Sequence, residues 1–125
     1  VMTALSLPKA TPEEKAARKA ALAEANQGAI AVPFRTMQQA AAAFDLLEAM
    51  ARDGNPASAS DAGVGALCAR AAVRGAWLNV RTNLAGVPET DDIREMLTEG
   101  ERLVRRAEEG EVKVLQAVEG KFAAK

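Results

Sequence analysis

Apolar residues recur along this chain at steps of three and four, in stretches set apart by turn signals, and four segments result. Val1 to Leu7 is short and apolar and reads as the end of a helix, with Pro8 as its stop. Thr11-Pro12-Glu13-Glu14 is a strong helix start. Thr11 caps the free amides, Pro12 sits where its missing N–H is harmless, and Glu14 completes a capping box. The pattern predicts a helix from Pro12 to about Ala31, then a kink or short break at Pro33, which lacks a donor and crowds the preceding turn. A second stretch follows, with Phe34, Met37, Ala41, Phe44, Leu47 and Ala51 at helical spacing. Asp53-Gly54-Asn55-Pro56 ends it, with Gly54 expected as a left-handed cap.

The third helix is expected to open near Ser60 as N-cap, with Asp61 in its first turn, and to reach Leu84 or Ala85 before Gly86-Val87-Pro88. Its length would be roughly 36 Å at 1.5 Å per residue. A stripe of small residues, Gly65, Cys68, Ala69, Ala72, Gly75 and Ala76, lets another backbone come close, within the chain or across a dimer. The last helix runs from about Asp91 towards Ala123. Ile93, Leu97, Gly100, Val104, Ala107, Val114 and Val118 form a bundle-type seam in it, with Glu111 as a misfit. Gly100, Gly110 and Gly120 lie on different faces and do not read as a repeat; each costs about 1 kcal/mol relative to alanine.

Composition sharpens this picture to an all-α fold, a bundle of long antiparallel helices in one domain over residues 1–125. Of 125 residues 29 are alanine, three are Phe, one is Trp and none is Tyr, a supply that suits helices and not sheets. Side chains this small bury little area each, so the helices must approach closely. Sixteen basic and seventeen acidic residues are interspersed, which argues against a nucleic-acid partner. Cys68 alone cannot form an internal disulfide, and no apolar run reaches membrane-spanning length; a cytoplasmic location is expected. With no histidine and one cysteine, the usual zinc sites and Ser-His or Cys-His nucleophiles cannot be built, and no metal is expected.

Candidate chemistry sits mainly in the third helix. Asn79 and Asn83 lie one turn apart on one face of an apolar run, and Asp61, eighteen residues before Asn79, shares its phase. Asparagine is a poor helix former and its amide is costly to bury without partners. Two explanations stand: hydrogen bonds to backbone in a helix–helix interface, or a pocket needing both donors and acceptors. Arg70, Arg74 and Arg81 also share a face, within roughly 40° at 100° per residue. That row reads first as a solvated side, and alternatively as the lining of a cleft for an anionic tail. Lys9, in a turn stiffened by two prolines, is a further candidate anion contact. Cys68, among alanines, is expected to be inert packing.

Several of these elements form an ordered set. Leu7-Pro8-Lys9, Thr11-Pro12-Glu13-Glu14-Lys15, Arg18 and Val32-Pro33 resemble the LPK-x-T-x-EEK-x-x-R element and its sequel in the formimidoyltetrahydrofolate cyclodeaminase / methenyltetrahydrofolate cyclohydrolase family. Gly54-Asn55-Pro56, Ser60-Asp61-Ala62-Gly63-Val64, Gly75-Ala76 and Asn79-Val80-Arg81-Thr82-Asn83-Leu84 resemble its second signature. The resemblance spans Leu7 to Leu84 and covers the C-terminal part of the family domain.

It implies a dimeric all-helical domain that acts on tetrahydrofolate derivatives as substrates, with no covalently bound cofactor. One branch closes 5-formimidoyltetrahydrofolate to 5,10-methenyltetrahydrofolate with release of ammonia; its sister is a methenyltetrahydrofolate cyclohydrolase. Lys9, Asp61, Asn79 and Asn83 become candidate substrate contacts. The resemblance also implies that the first helices of the domain, with the acidic residue credited with catalysis, lie upstream of Val1, so no residue here is assigned as catalytic. A missing N-terminal segment and a fused formimidoyltransferase domain are the implied partners, besides a second copy of the chain. The contrasting possibility is a non-catalytic helical oligomerisation module.

Overall fold

A computed structural model of the chain describes residues 1–124. Four α-helices follow in order: α1 (Met2–Leu5), α2 (Pro12–Asp53), α3 (Ala59–Leu84) and α4 (Asp91–Ala123), with one 3-10 turn over Pro56–Ser58. No strand occurs among the described residues. The three long helices pack together as a bundle. Leu47 of α2 meets Gly65 near the start of α3, and Ala29 meets Asn83 near its end, so these two helices are antiparallel. Gly63 meets Val118 and Trp77 meets Gly100, so α3 and α4 are antiparallel too. By the same logic α2 and α4 run parallel.

The start of α2 forms as its sequence dictates. The Glu14 amide donates to the Thr11 hydroxyl at 3.2 Å, while the Glu14 carboxylate accepts from the Thr11 and Ala10 amides at 3.1 and 2.7 Å. At 42 residues α2 is about 63 Å long, far more than the 26 residues of α3 require, so its N-terminal part runs on past the end of α3. There it carries α1, whose Ala4 is buried.

The core is drawn from one stripe on each long helix: Met37 and Phe44 from α2, Val73, Trp77 and Val80 from α3, Val104, Val114 and Val118 from α4. The seam read in α4 is therefore the packing face, and its misfit has a partner, since Glu111 pairs with Arg70 of α3 at 3.4 Å. Two glycines of α4 have a packing reason. A β-carbon at Gly100 would lie inside the van der Waals surface of the Trp77 ring, and one at Gly110 inside that of Phe44. Their ten-residue spacing puts one glycine against α3 and the other against α2. Burying each aromatic contributes about 1.5–3 kcal/mol, which exceeds the roughly 1 kcal/mol of helix propensity lost at a glycine.

The structure corrects several expectations. No break occurs at Pro33; α2 continues through it to Asp53. Gly54 is extended (φ −74°, ψ 177°) and not left-handed. Glycine is needed there because a β-carbon would collide with the Met50 carbonyl. The left-handed glycine is Gly86 (φ 81°), in the turn from α3 to α4. Ser60 is not a cap, because α3 already begins at Ala59. Asn55 instead accepts from the Ala57 amide at 3.0 Å and nucleates the 3-10 turn that leads into the helix. Cys68 is exposed and not packed. No helix of the described residues is long and apolar enough to cross a membrane.

Candidate functional site

Where α2 and α3 pass each other on the side away from α4, small residues leave an open groove of about 650 Å³. Gly28, Ala29 and Val32 form one wall, and Ala72, Gly75 and Ala76 the other. Nothing lies within 4 Å of the position a β-carbon would take at Gly28 or Gly75, so the groove is wide as well as shallow. The small-residue stripe of α3 is thus shared between two tasks. Ala69 and Ala76 pack towards the core, while Cys68, Ala72 and Gly75 face outwards.

Asn79 and Asn83 both line this groove, the first exposed and the second half-buried. Asn83 donates its side-chain amide to the Ala29 carbonyl at 2.8 Å. That carbonyl is the one a residue at position 33 would normally satisfy from its backbone, and Pro33 has no N–H to offer. The proline inside α2 is therefore accommodated from the neighbouring helix. Asn26 adds a third carboxamide, donating at 3.4 Å to the backbone carbonyl of Asn83. Asn26 escaped the reading of the sequence; its signal was an asparagine seven residues before an in-helix proline, one turn from the orphaned carbonyl.

Of the four candidate contacts, the structure brings Asn79 and Asn83 together and separates the rest. Asp61 is exposed in the first turn of α3, on the helix that carries Asn79 but about 27 Å away along its axis at 1.5 Å per residue. Lys9 is exposed beside Lys15, Arg18 and Lys19 around a separate hollow of about 340 Å³ at the start of α2. Arg18 there donates to the Leu5 carbonyl at 3.2 Å and ties α1 to α2. The arginine row divides as well. Arg70 reaches Glu111 and Glu108 of α4 at 3.4 and 3.9 Å, whereas Arg74 and Arg81 are exposed.

Chemically, the groove offers two primary amides, each able to donate and accept, on an apolar wall. It holds no cluster of charge, and no group of three or more His, Cys, Asp or Glu side chains placed for a metal ion occurs among the described residues. The arrangement can orient a polar, uncharged edge of a ligand. It carries no acid or base within itself.

Comparison with known proteins adds the chemical context. A family model described as formiminotransferase-cyclodeaminase matches residues 1–102. A methenyltetrahydrofolate cyclohydrolase from Methylorubrum extorquens is 40% identical over 121 residues, covering 97% of this chain and 58% of that protein. A formimidoyltransferase-cyclodeaminase from Gallus gallus is 34% identical over 122 residues, covering 98% of this chain and 23% of its own length. The pig protein of the same name, from Sus scrofa, is 42% identical over 91 residues, or 73% of this chain and 16% of that protein. The chain thus spans little more than half of the first relative and under a quarter of the second.

Proposed function

We propose that this chain, which belongs to the formiminotransferase-cyclodeaminase family, is part of a folate one-carbon enzyme domain, either a formimidoyltetrahydrofolate cyclodeaminase or a methenyltetrahydrofolate cyclohydrolase. In the first reaction N10 of the substrate attacks the formimidoyl carbon on N5. A proton passes to the departing nitrogen, its bond to carbon breaks, and ammonia leaves a 5,10-methenyl bridge. In the second, water adds to the methenyl carbon and loses one proton, and the remaining hydroxyl proton passes to N5 as its bond to carbon breaks, giving the 10-formyl product. Both pass through a tetrahedral carbon and need the ring system held still while protons move.

The observation that carries this reading is the pair of carboxamides, Asn79 and Asn83, on the wall of one groove. They are suited to orienting a substrate with mixed donors and acceptors; the acid or base comes from elsewhere in the assembled protein. Lys9 and Asp61 lie too far from the pair to touch the same reacting centre within one chain. Asp61 joins such a site from a second copy, and Lys9 meets an anionic part of the ligand. A homodimer is therefore part of the proposal, as is a formimidoyltransferase domain on the same polypeptide, which the names of the chicken and pig relatives suggest. The single exposed thiol fits a reducing compartment, and we place the protein in the cytoplasm.

Isothermal titration with folinic acid, a stable tetrahydrofolate analogue, tests the reading. Binding by the full chain that Asn79→Ala weakens supports it; absence of binding with both asparagines intact sinks it.

One observation favours a second reading, a non-catalytic helical oligomerisation module. The outer face of α2 and α3 exposes Val32, Leu46, Met50, Val64, Leu67 and Leu78, a run of apolar side chains of the kind that protein partners cover. On that reading Asn79→Ala and Asn83→Ala change the melting temperature equally with and without folinic acid. A folate site predicts a larger difference with it.

A further inference from the structure

At the end of the bundle where α3 stops at Leu84, the core is left uncovered as a cleft of about 620 Å³. Its floor is apolar: Ile30 of α2, Leu84 of α3 and Met96 of α4 all belong to or pack on the core. Its rim is polar, with Asn26 and Gln27 on α2 and Asp92 in the first turn of α4. The left-handed Gly86 turns the chain back here, and the Val87 amide donates to the Leu84 carbonyl at 3.0 Å, which holds the third side of the cleft in place.

We infer that this cleft holds a flat bicyclic heteroaromatic ring, the pterin head of the ligand, with Asp92 accepting from its aminopyrimidine edge; the choice of ring rests on the folate reading above. Four features carry the inference. The volume lies in the range of about 300–1,000 Å³ typical of small-molecule sites, which also share this plan of apolar walls and a few polar groups. A pterin presents two adjacent N–H donors that one carboxylate accepts together, and an oxygen and ring nitrogen that amide groups satisfy. Among the described residues, the side chains of Gln27 and Asp92 have no hydrogen-bond partner, and the amide oxygen of Asn26 has no donor, so these groups are available. Finally, Asp92 puts a negative charge on the rim, while Asp91 beside it is paired with Arg94; the Asp92 charge turns the carboxylate tail of such a ligand outwards and leaves the uncharged ring for the interior.

The cleft and the α2/α3 groove meet at one hydrogen bond, from Asn26 on the cleft side to Asn83 on the groove side. The carboxamides of the groove are therefore neighbours of the ring site and not the ring site itself. A groove walled mainly by glycine and alanine has few side chains to close around a bicycle, whereas the cleft has Ile30, Leu84 and Met96 to pack on its face.

The four methionines make the test direct, because Met96 lines the cleft and Met2, Met37 and Met50 do not. The chain is labelled with methyl-13C methionine and titrated separately with folinic acid and with 6-hydroxymethylpterin, which lacks the tail. Both ligands are expected to shift the Met96 methyl by ring current and to leave Met2 and Met50 in place. Asp92→Asn, at an exposed position, is expected to weaken both about tenfold, or 1.4 kcal/mol, with an unchanged melting temperature. Binding of folinic acid with Met96 unmoved, or with Asp92→Asn as tight as the parent, overturns the inference and leaves the folate reading standing. Pterin that moves Met96 while folinic acid fails to bind upholds the cleft and removes the folate reading; no binding of either removes both.

Discussion

Asn83 supplies from α3 the hydrogen bond that Pro33 denies to α2, its amide lying 2.8 Å from the Ala29 carbonyl. One residue thus lines a candidate ligand groove and at the same time keeps a 42-residue helix continuous through a proline.

That dual role has a signature. Asn83→Ala strands the Ala29 carbonyl and is expected to lower stability by about 1–3 kcal/mol. Pro33→Ala returns a backbone donor to the same carbonyl, so in that background Asn83→Ala is expected to cost distinctly less. A double-mutant cycle by urea denaturation measures the coupling, expected at about 0.5–3 kcal/mol. Strict additivity would mean that the asparagine and the proline are independent.

The glycines of the bundle separate into two groups. Gly100→Ala and Gly110→Ala drive a methyl group into Trp77 and Phe44 and are expected to destabilise by about 1–3 kcal/mol. Gly28→Ala, Gly75→Ala and Gly120→Ala meet nothing within 4 Å. In those helical positions alanine is expected to stabilise by about 0.5–1 kcal/mol. Thermal melts of the five variants decide this, and a uniform response would contradict the packing described for α4.

Arg106 ties α4 to α2. It donates to Glu48 and Asp45, each at 2.7 Å, and lies 5.6 Å from the centre of the Phe44 ring. Burial pulls its pKa down, and the hydrogen bonds it donates to Asp45 and Glu48, with their charge, outweigh that and leave it raised. Arg106→Ala is expected to cost about 1–3 kcal/mol, since it also leaves the half-buried Glu48 alone. Asp45 is well exposed, so Asp45→Ala is expected to cost no more than about 0.5 kcal/mol. Chemical denaturation of the two variants should rank them in that order.

Acid should remove a small increment of stability at the surface of α4. The hydrogen bond from Arg102, aided by its charge and opposed by slight burial, holds the Glu99 carboxyl below its ordinary 4.5. A depressed folded-state pKa contributes stability above the ordinary value, and that contribution is lost as pH falls through the folded one. The pair is solvent-exposed, so the effect is expected at about 0.2–1 kcal/mol. Glu99→Gln should therefore lower the melting temperature slightly at pH 7 and match the parent near pH 2.

Much of this protein is written in its linear pattern. Thr11 and Glu14, Gly86-Val87-Pro88 and the apolar seam of α4 act through neighbours a few residues away, so local chemistry was enough to place the helices and to choose helix over strand. The ordered motifs from Leu7 to Leu84 carried the family in the same way. What lay beyond the sequence were relationships between helices. Pro33 was expected to interrupt α2 because its replacement donor sits 50 residues later, on a different helix. Asp61 and Asn79 share a helical phase, yet phase says nothing about the 27 Å or so of axis between them. Gly100 and Gly110 read as isolated weaknesses until Trp77 and Phe44 arrived from two other directions. The cleft at the end of the bundle exists only because α3 stops and α4 starts at the same level while α2 runs on past them. Local rules act over one turn, whereas a groove, a cleft and a borrowed hydrogen bond are decided by which faces meet when the whole chain packs.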